Sequence, residues 1–378
     1  MRAGVFVQSY AKSYDVSLLV VNIWNRITGI DPGLSTCFSS IESISVEDIK
    51  NHGLNRVASS RLIAREYERI HVFRIQMLRL FRLYMDRHPN TTAILTLDLD
   101  DYESNLYKRM AHLYTLRDDQ PRATMLQVRA ARFEQMEREG LELFHQVYVS
   151  NATESCSIQR RYKTQRVFVI PNAIRINVPP DILARGPMTL LFVGTLDYFP
   201  NEDGILWFCD SVLPNIKSKT QLKFRVLVVG SRPREVLRKL DNGHDILIRA
   251  DVADPRVFYR ESHISIAPIR AASGTRIKIL EAMSEALPVV ATSLGAEGLQ
   301  VEDRRELLIA DSAVEFADYC LELMHNRELR TKLAIVGLEW VRANHSIERV
   351  AEIIENTCRA DGLGSEGAAA ANRHVPLP

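Results

Sequence analysis

The chain has little charge imbalance, few cysteines and no long apolar run, and each shortage removes a class of protein. Lysine and arginine total 48 against 47 aspartates and glutamates. That near balance argues against a dedicated nucleic-acid binder, whose footprint is a strongly basic face. The five cysteines, Cys37, Cys156, Cys209, Cys320 and Cys358, are scattered without a CxxC pair. Neither a zinc site nor a disulfide framework is indicated, and they read as small hydrophobes in a reducing compartment. No apolar stretch reaches the ~18 residues that a membrane span needs. The opening "MRAGVFVQSYAKSYDVSLLVV" interrupts its apolar run with Lys12 and Asp15, so it does not read as a signal peptide. The expected location is cytoplasmic. No repeat of solenoid length is visible either.

What is present is an alternation of strands and helices. The 378 residues suggest about two domains. In the first half, "VSLLVVNI" (16–23), "TAILTLDLD" (92–100) and "QVYVS" (146–150) read as short apolar strands. Between the first two, "RVASSRLIAREYERIHVFRIQMLRLFRLYMDRH" reads as one long helical stretch; two further helical stretches precede residue 146. Strands spaced by helices imply βαβ units and a parallel sheet buried on both faces. The next segment, "RVFVIPNAIRINVPPDILARGPM", carries four prolines and reads as a connector, with the boundary at 174–186.

The second half repeats the pattern more clearly. Strands read at 189–194, 224–230, 245–250, 263–269, 288–292 and 306–310, with helices between them and three closing helical segments from about 312 to 359. The tail 361–378 is rich in small residues and reads as disordered. The expected fold is α/β, with two Rossmann-like doubly wound parallel-sheet domains facing a cleft and ligands at the carboxyl ends of the strands.

Chemistry gathers at those strand ends. "LLFVG" and "VLVVG" both close on glycine, which permits a tight turn and a close approach to a ligand, or simply an ordinary strand-to-helix turn. After the first, Asn201 is a candidate N-cap that leaves free amides at the sheet edge. After "HISIAPI" comes "SGTRIKILEAM" (273–283), flanked by Arg270 and containing Arg276 and Lys278. A helix start favours anions, and cations placed there need a further reason, such as a diphosphate. Solvated surface charge is the plain alternative. Glu281 could pair with Lys278 at i,i+3, or its carboxylate could accept from a ribose diol.

These residues carry a resemblance. "SGTRIKILEAMSEALPVVATSLGAEGL" is similar to the donor-binding segment of retaining GT-B glycosyltransferases of family 4, the "glycosyl transferases group 1" domain. "VFVIPNAI" resembles that family's interdomain segment, and "LLFVGTLDYFPNEDG" the first strand and loop of its donor domain. The resemblance covers most of residues 146–345. It implies a GT-B fold, with an acceptor-side domain at 1–173, a linker at 174–186, a donor-binding domain at 187–345 and a closing helix at 346–360. It also implies transfer of a hexose from a nucleotide-diphosphate sugar to a hydroxyl acceptor on a polysaccharide, glycolipid or other glycoconjugate. Such transfer would be retaining, with no tightly held metal and no cofactor beyond the donor.

The site residues follow position by position. Glu281 matches the family's ribose-binding glutamate. The partner glutamate falls eight positions earlier, where this chain has Ser273, followed by the matching Gly274 and by Thr275. Gly194 and Thr195 follow the first donor-domain strand, and Thr195 stands where the family often has an arginine. Arg276 and Lys278 are then expected to supply the phosphate charge that Thr195 cannot, with Arg270 beside them as a donor-binding residue.

The first half adds "TLDLDDYES". Asp98 and Asp100 form a DxD, which holds Mg²⁺ or Mn²⁺ in GT-A enzymes. Alternatively Asp100 or Asp101 caps the next helix. The preferred reading puts both aspartates on one side of the strand, facing the cleft, in contact with sugar or acceptor hydroxyl. "ERIHVFRIQMLRLFRLYMDRH" reads as a buried packing helix, or as an interfacial helix that brings the enzyme to a lipid-linked acceptor at the inner membrane face. A GT-B first domain normally opens with a strand and a glycine-rich turn. Here the chain starts on what reads as the following helix, so either the start codon is set too far downstream or the acceptor domain is shortened. That favours an alternative, a catalytically degenerate protein that binds a nucleotide or a partner without turnover. A GT-B sugar-nucleotide epimerase shares the architecture, and nothing in the sequence selects it.

Overall fold

A computed structural model of the chain describes residues 2–22, 32–53, 55–176 and 186–360. The tail 361–378 and residues 177–185 of the expected linker lie outside the described residues. The strands are β1 (Val16–Asn22), β2 (Phe38–Ser45), β3 (Arg69–Phe73), β4 (Ile94–Asp100), β5 (Gln146–Val149), β6 (Val167–Val169), β7 (Met188–Val193), β8 (Phe224–Gly230), β9 (Ile246–Ala250), β10 (Ile264–Ala267), β11 (Val289–Ala291) and β12 (Leu308–Ile309). They form three parallel sheets: β1-β2, β3-β4-β5-β6 and β12-β11-β10-β7-β8-β9.

The chain divides into two compact units. One contains the described residues of Met1–Tyr102, Arg132–Ala173 and the helix from Ile347; the other contains Glu103–Ala131 and Ile174–Ser346. The division differs from the linear one at two places. Helix Glu103–Leu116 and the start of helix Gln120–Leu143 group with the second half of the sequence, and the closing helix groups with the first. An apolar helix face shows in the sequence, but the surface it packs on does not.

In the second unit all six expected strands form, and they share one sheet. Alternate side chains go to opposite faces. Leu190, Phe192, Val226, Val228, Ile264 and Ile266 pack with Ile205, Phe208 and Phe316 on one side. Leu191, Val193, Leu227, Val229, Val289 and Ala291 pack with Ile279, Leu280 and Met283 on the other. Burial on both faces is why these strands read as continuous apolar runs.

The first unit departs more from its sequence reading. The long helical stretch breaks into a short helix Asn55–Ala58, the strand β3 and a helix Leu78–Arg87. β3 pairs with β4 from Arg69↔Ile94 to Phe73↔Asp98, so "RIHVF" is a strand hidden in a helix-like pattern. Helix Leu78–Arg87 buries Leu78, Phe81 and Tyr84, the packing behaviour expected of an amphipathic helix, and its exposed positions are polar. β1 pairs with β2 rather than joining the sheet of β4 and β5. Helix Arg2–Tyr10 buries Val5, Phe6 and Tyr10 against Val350 and Ile354 of the closing helix.

Candidate active site

β8 ends on Gly230 and β7 runs into Gly194, and the space at both is tight. A Cβ on Gly230 would overlap the carbonyl oxygen of Gly194, and one on Gly194 would stand 2.8 Å from Asn201 Nδ2 and 3.1 Å from Lys278 Nζ. The two strand ends continue together, with Leu196 N donating to Ser231 O at 2.9 Å.

Asn201 does not cap the following helix. That helix starts at Phe199 with Tyr198 as N-cap and Pro200 in its first turn, where a missing N–H costs nothing. Asn201 lies inside the helix and spends its amide elsewhere. Nδ2 donates to Thr195 O at 2.8 Å, and Oδ1 accepts from Lys278 Nζ at 2.6 Å. Thr195 is thereby fixed by its backbone. The Lys278 ammonium also lies 4.0 Å from the centroid of the Phe192 ring. Burial pushes its pKa down to about 7; Glu281 opposes that shift and Arg276 adds to it.

Lys278 and Glu281 belong to the helix Ile277–Ser284, one turn apart. Glu281 accepts from the hydroxyl of buried Tyr259 at 3.0 Å. Burial raises its pKa, while the Tyr259 hydrogen bond and Lys278 pull it back. Each of the pair has thus been provided with a neutral partner, Asn201 for the lysine and Tyr259 for the glutamate.

The segment from β10 to that helix is tightly held. Gly274 has φ 68°, a left-handed conformation that glycine adopts without strain. The oxygen Oγ of Ser273 is buried and has no hydrogen-bond partner among the described residues. Thr275 and Arg276 are buried. Arg276 donates to three carbonyls, Ser273 O at 3.0 Å, Gly295 O at 3.2 Å and Glu297 O at 2.8 Å. Arg270 makes a bidentate pair with buried Asp203 at 2.9 and 2.8 Å. Both guanidiniums, assigned to phosphate by the sequence reading, are committed to protein acceptors here.

Asp98 and Asp100 lie in the other unit, at the end of β4. Asp98 is fully buried, and Arg2 grips it through both oxygens at 2.8 and 2.9 Å while donating also to Ile170 O. Asp98 Oδ1 accepts the amide of Asp100 at 3.0 Å. Asp100 has φ 60°, the register with β5 shifts between the two, and Arg74 pairs with it at 2.6 Å. Burial raises the Asp100 pKa, against the opposing pull of Arg74 and then Arg2. Asp98 is therefore enclosed by protein, and Asp100 is the more accessible of the two.

The structure brings Gly194, Thr195 and Lys278 to one point, with Glu281 a turn away and the Ser273–Arg276 segment leading into the same helix. Tyr259, Asp203 and Glu297 escaped the sequence reading. A lone tyrosine or carboxylate on an amphipathic helix carries no local mark of the partner it meets across the fold. Asn201 bridges Lys278 and the Thr195 carbonyl instead of capping the helix.

Residues 187–326 match the family model "Glycosyl transferases group 1". A protein of Klebsiella pneumoniae described as an uncharacterized 44.6 kDa protein in cps region is 24% identical over 169 residues, 43% of each chain. The chain thus spans less than half the length of that relative. Among solved structures, sucrose-phosphate synthase from Thermosynechococcus elongatus is similar with a TM-score of 0.71 at 16% identity, covering 96% of this chain and 93% of that one. HepE of Anabaena, solved with UDP and glucose, is similar with a TM-score of 0.66 at 14% identity, covering 96% of each. TarM is similar with a TM-score of 0.61 at 13% identity, covering 79% of this chain and 57% of TarM.

Proposed function

We propose that this chain, a GT-B glycosyltransferase that carries a glycosyl transferases group 1 domain at residues 187–326, moves a hexose from a nucleotide-diphosphate sugar to a hydroxyl acceptor on a polysaccharide or other glycoconjugate. Transfer is retaining and needs no bound metal. The observation that carries the reading is the pair Lys278 and Glu281, one turn apart beyond the end of β7, each held by a neutral partner. The Lys278 ammonium at the Gly194–Thr195 turn is placed to meet a diphosphate, and Glu281 to accept from the ribose diol. Developing charge on the leaving diphosphate is stabilised by that ammonium and by the amides at the strand ends. Ser273 Oγ, buried and unpartnered among the described residues, gains an acceptor or donor when the sugar arrives. The presence of UDP and glucose in the HepE structure supports a nucleotide-sugar ligand for this fold.

A second reading, a nucleotide-binding protein without turnover, is favoured by Ser273 standing where the family has a glutamate. A thermal-shift screen against UDP-, GDP- and dTDP-sugars, followed by donor-hydrolysis and transfer assays with and without EDTA, separates the two. Transfer that survives EDTA and retains anomeric configuration supports the proposal. Binding with neither hydrolysis nor transfer would replace it with the second reading.

A further inference from the structure

Two carboxylates of the second unit are each held by a pair of arginines. In each pair one arginine belongs to residues 270–276 and the other to helix Glu103–Leu116 or the residue after it. Glu297 receives a bidentate pair from Arg109, at 2.5 and 2.7 Å, and lies 3.7 Å from the Arg276 guanidinium. Asp203, fully buried, receives its bidentate pair from Arg270 and a further bond from Arg117. Arg109 also donates directly to the carbonyl of Ala272, at 2.7 Å. The segment is thus fixed at its start, middle and end, at Arg270, Ala272 and Arg276. Its anchors Arg109 and Arg117 stand far earlier in the chain.

Apolar contacts seat the same helix. Leu106, Met110, Leu113 and Leu126 cluster with Phe199 and Ala271, and Tyr114 stacks on Phe199 with centroids 4.5 Å apart. Packing already anchors the helix, so the arginines are not needed merely to dock it. Nor does charge balance explain them, since one arginine per carboxylate would neutralise each site. Four guanidiniums face two carboxylates, which leaves an excess of two positive charges around the segment. Arginine cannot shed that charge by deprotonation, so the positive potential around the segment persists across the working pH range.

We propose that Arg109 and Arg117 are donor-positioning residues, which hold residues 270–276 in the shape, and at the positive potential, that receives the diphosphate of a sugar nucleotide. The inference rests on the donor reading given above. Neither arginine touches the donor; Arg117 acts through Asp203, and Arg109 through Glu297 and the Ala272 carbonyl, on the segment that does.

The test begins with the unaltered chain, titrated calorimetrically with UDP-, GDP- and dTDP-sugars. Failure to bind any of them would overturn the donor reading and this inference with it. Given binding, Arg109→Gln and Arg117→Gln are each expected to raise the donor KM by ~10-fold or more, with kcat changed less. The dependence of donor KM on salt should also become shallower, because a positive charge near the donor is gone. Arg109→Lys keeps the charge and loses the bidentate fork, so it should restore part of the donor affinity. A brace with no bearing on the donor would lower the melting temperature and leave donor KM and its salt dependence unchanged, and that result would overturn the proposal. Should Arg109→Gln fail to fold, Arg109→Lys decides alone: an unchanged donor KM would sink the idea.

Discussion

The ammonium of Lys278 lies 3.1 Å from the point where a side chain at Gly194 would begin. A residue from helix Ile277–Ser284 thereby stands at the turn after β7, where Thr195 offers no cation. Adding a methyl at Gly194 would push first against the Asn201 amide, 2.8 Å away, which is the group that holds Lys278. Side-chain ends can move, so Gly194→Ala should fold with a loss of about 1 kcal/mol and a donor KM raised by ~10-fold. Gly230→Ala meets the Gly194 backbone instead and should lose about 3 kcal/mol or more. Melting curves and donor kinetics on the two variants check the contrast.

Desolvation pushes the Lys278 pKa down to about 7, and its charge is what a diphosphate would use. Donor affinity should therefore fall as pH rises through about 7 and the ammonium is lost. Stability moves the opposite way. The folded-state pKa lies below the unfolded value, so the unfolded chain binds more protons above about 7 and stability rises with pH from there toward about 10.4. Lys278→Arg should flatten the pH profile of donor KM, since a guanidinium keeps its charge. Lys278→Met should lower kcat/KM by ~100-fold or more. A profile unchanged in both variants would remove Lys278 from the site.

The Tyr259 hydroxyl is the donor that keeps Glu281 able to ionise in a buried place. Tyr259→Phe fits the same volume and deletes that bond, so the Glu281 pKa should rise further. Donor KM should then rise by ~10-fold, and Glu281→Ala should raise it by ~100-fold, the range of hydrogen bonds to charged groups. If Glu281→Ala left donor KM unchanged, Glu281 would have no part in donor binding; if Tyr259→Phe shifted stability alone, by about 1 kcal/mol, Tyr259 would be only a structural partner. Kinetics and thermal melts on the same preparations distinguish these outcomes.

How far the sequence reading reached depended on whether a signal was local. β7 to β12 were legible because a central parallel strand is apolar on both faces and bounded by turn residues. β3 was not, since "RIHVF" carries two polar residues and sits between helix-forming stretches. β2, "FSSIESIS", alternates too weakly in serine-rich company to stand out. Within the site, Glu281 and Lys278 were legible from helix position and resemblance. The commitments of Arg270 and Arg276 were not, because an arginine's partner is chosen by the fold, and Asp203 and Glu297 lie far from either in sequence.

Asp98 and Arg2 give the sharpest separation of structure from chemistry. Asp98 has no exposed surface, and Arg2, itself buried, meets both of its oxygens with the guanidinium fork, beside the Asp100 amide on Oδ1. Removing one member strands the other as a buried charge, which typically costs about 3–5 kcal/mol. Arg2→Met should therefore destabilise strongly, and the double variant Arg2→Met with Asp98→Leu should recover much of the loss. Asp100 differs, because it keeps some solvent contact and pairs with the half-exposed Arg74. Asp100→Asn keeps the volume and an acceptor for Arg74 and removes a charge that burial already opposes, so stability should change by about 1 kcal/mol, and a large loss of transfer in that variant reports on chemistry rather than folding. The reverse pattern, a stable Arg2→Met and an unfolded Asp100→Asn, would show that the support of this strand end runs through Arg74 instead.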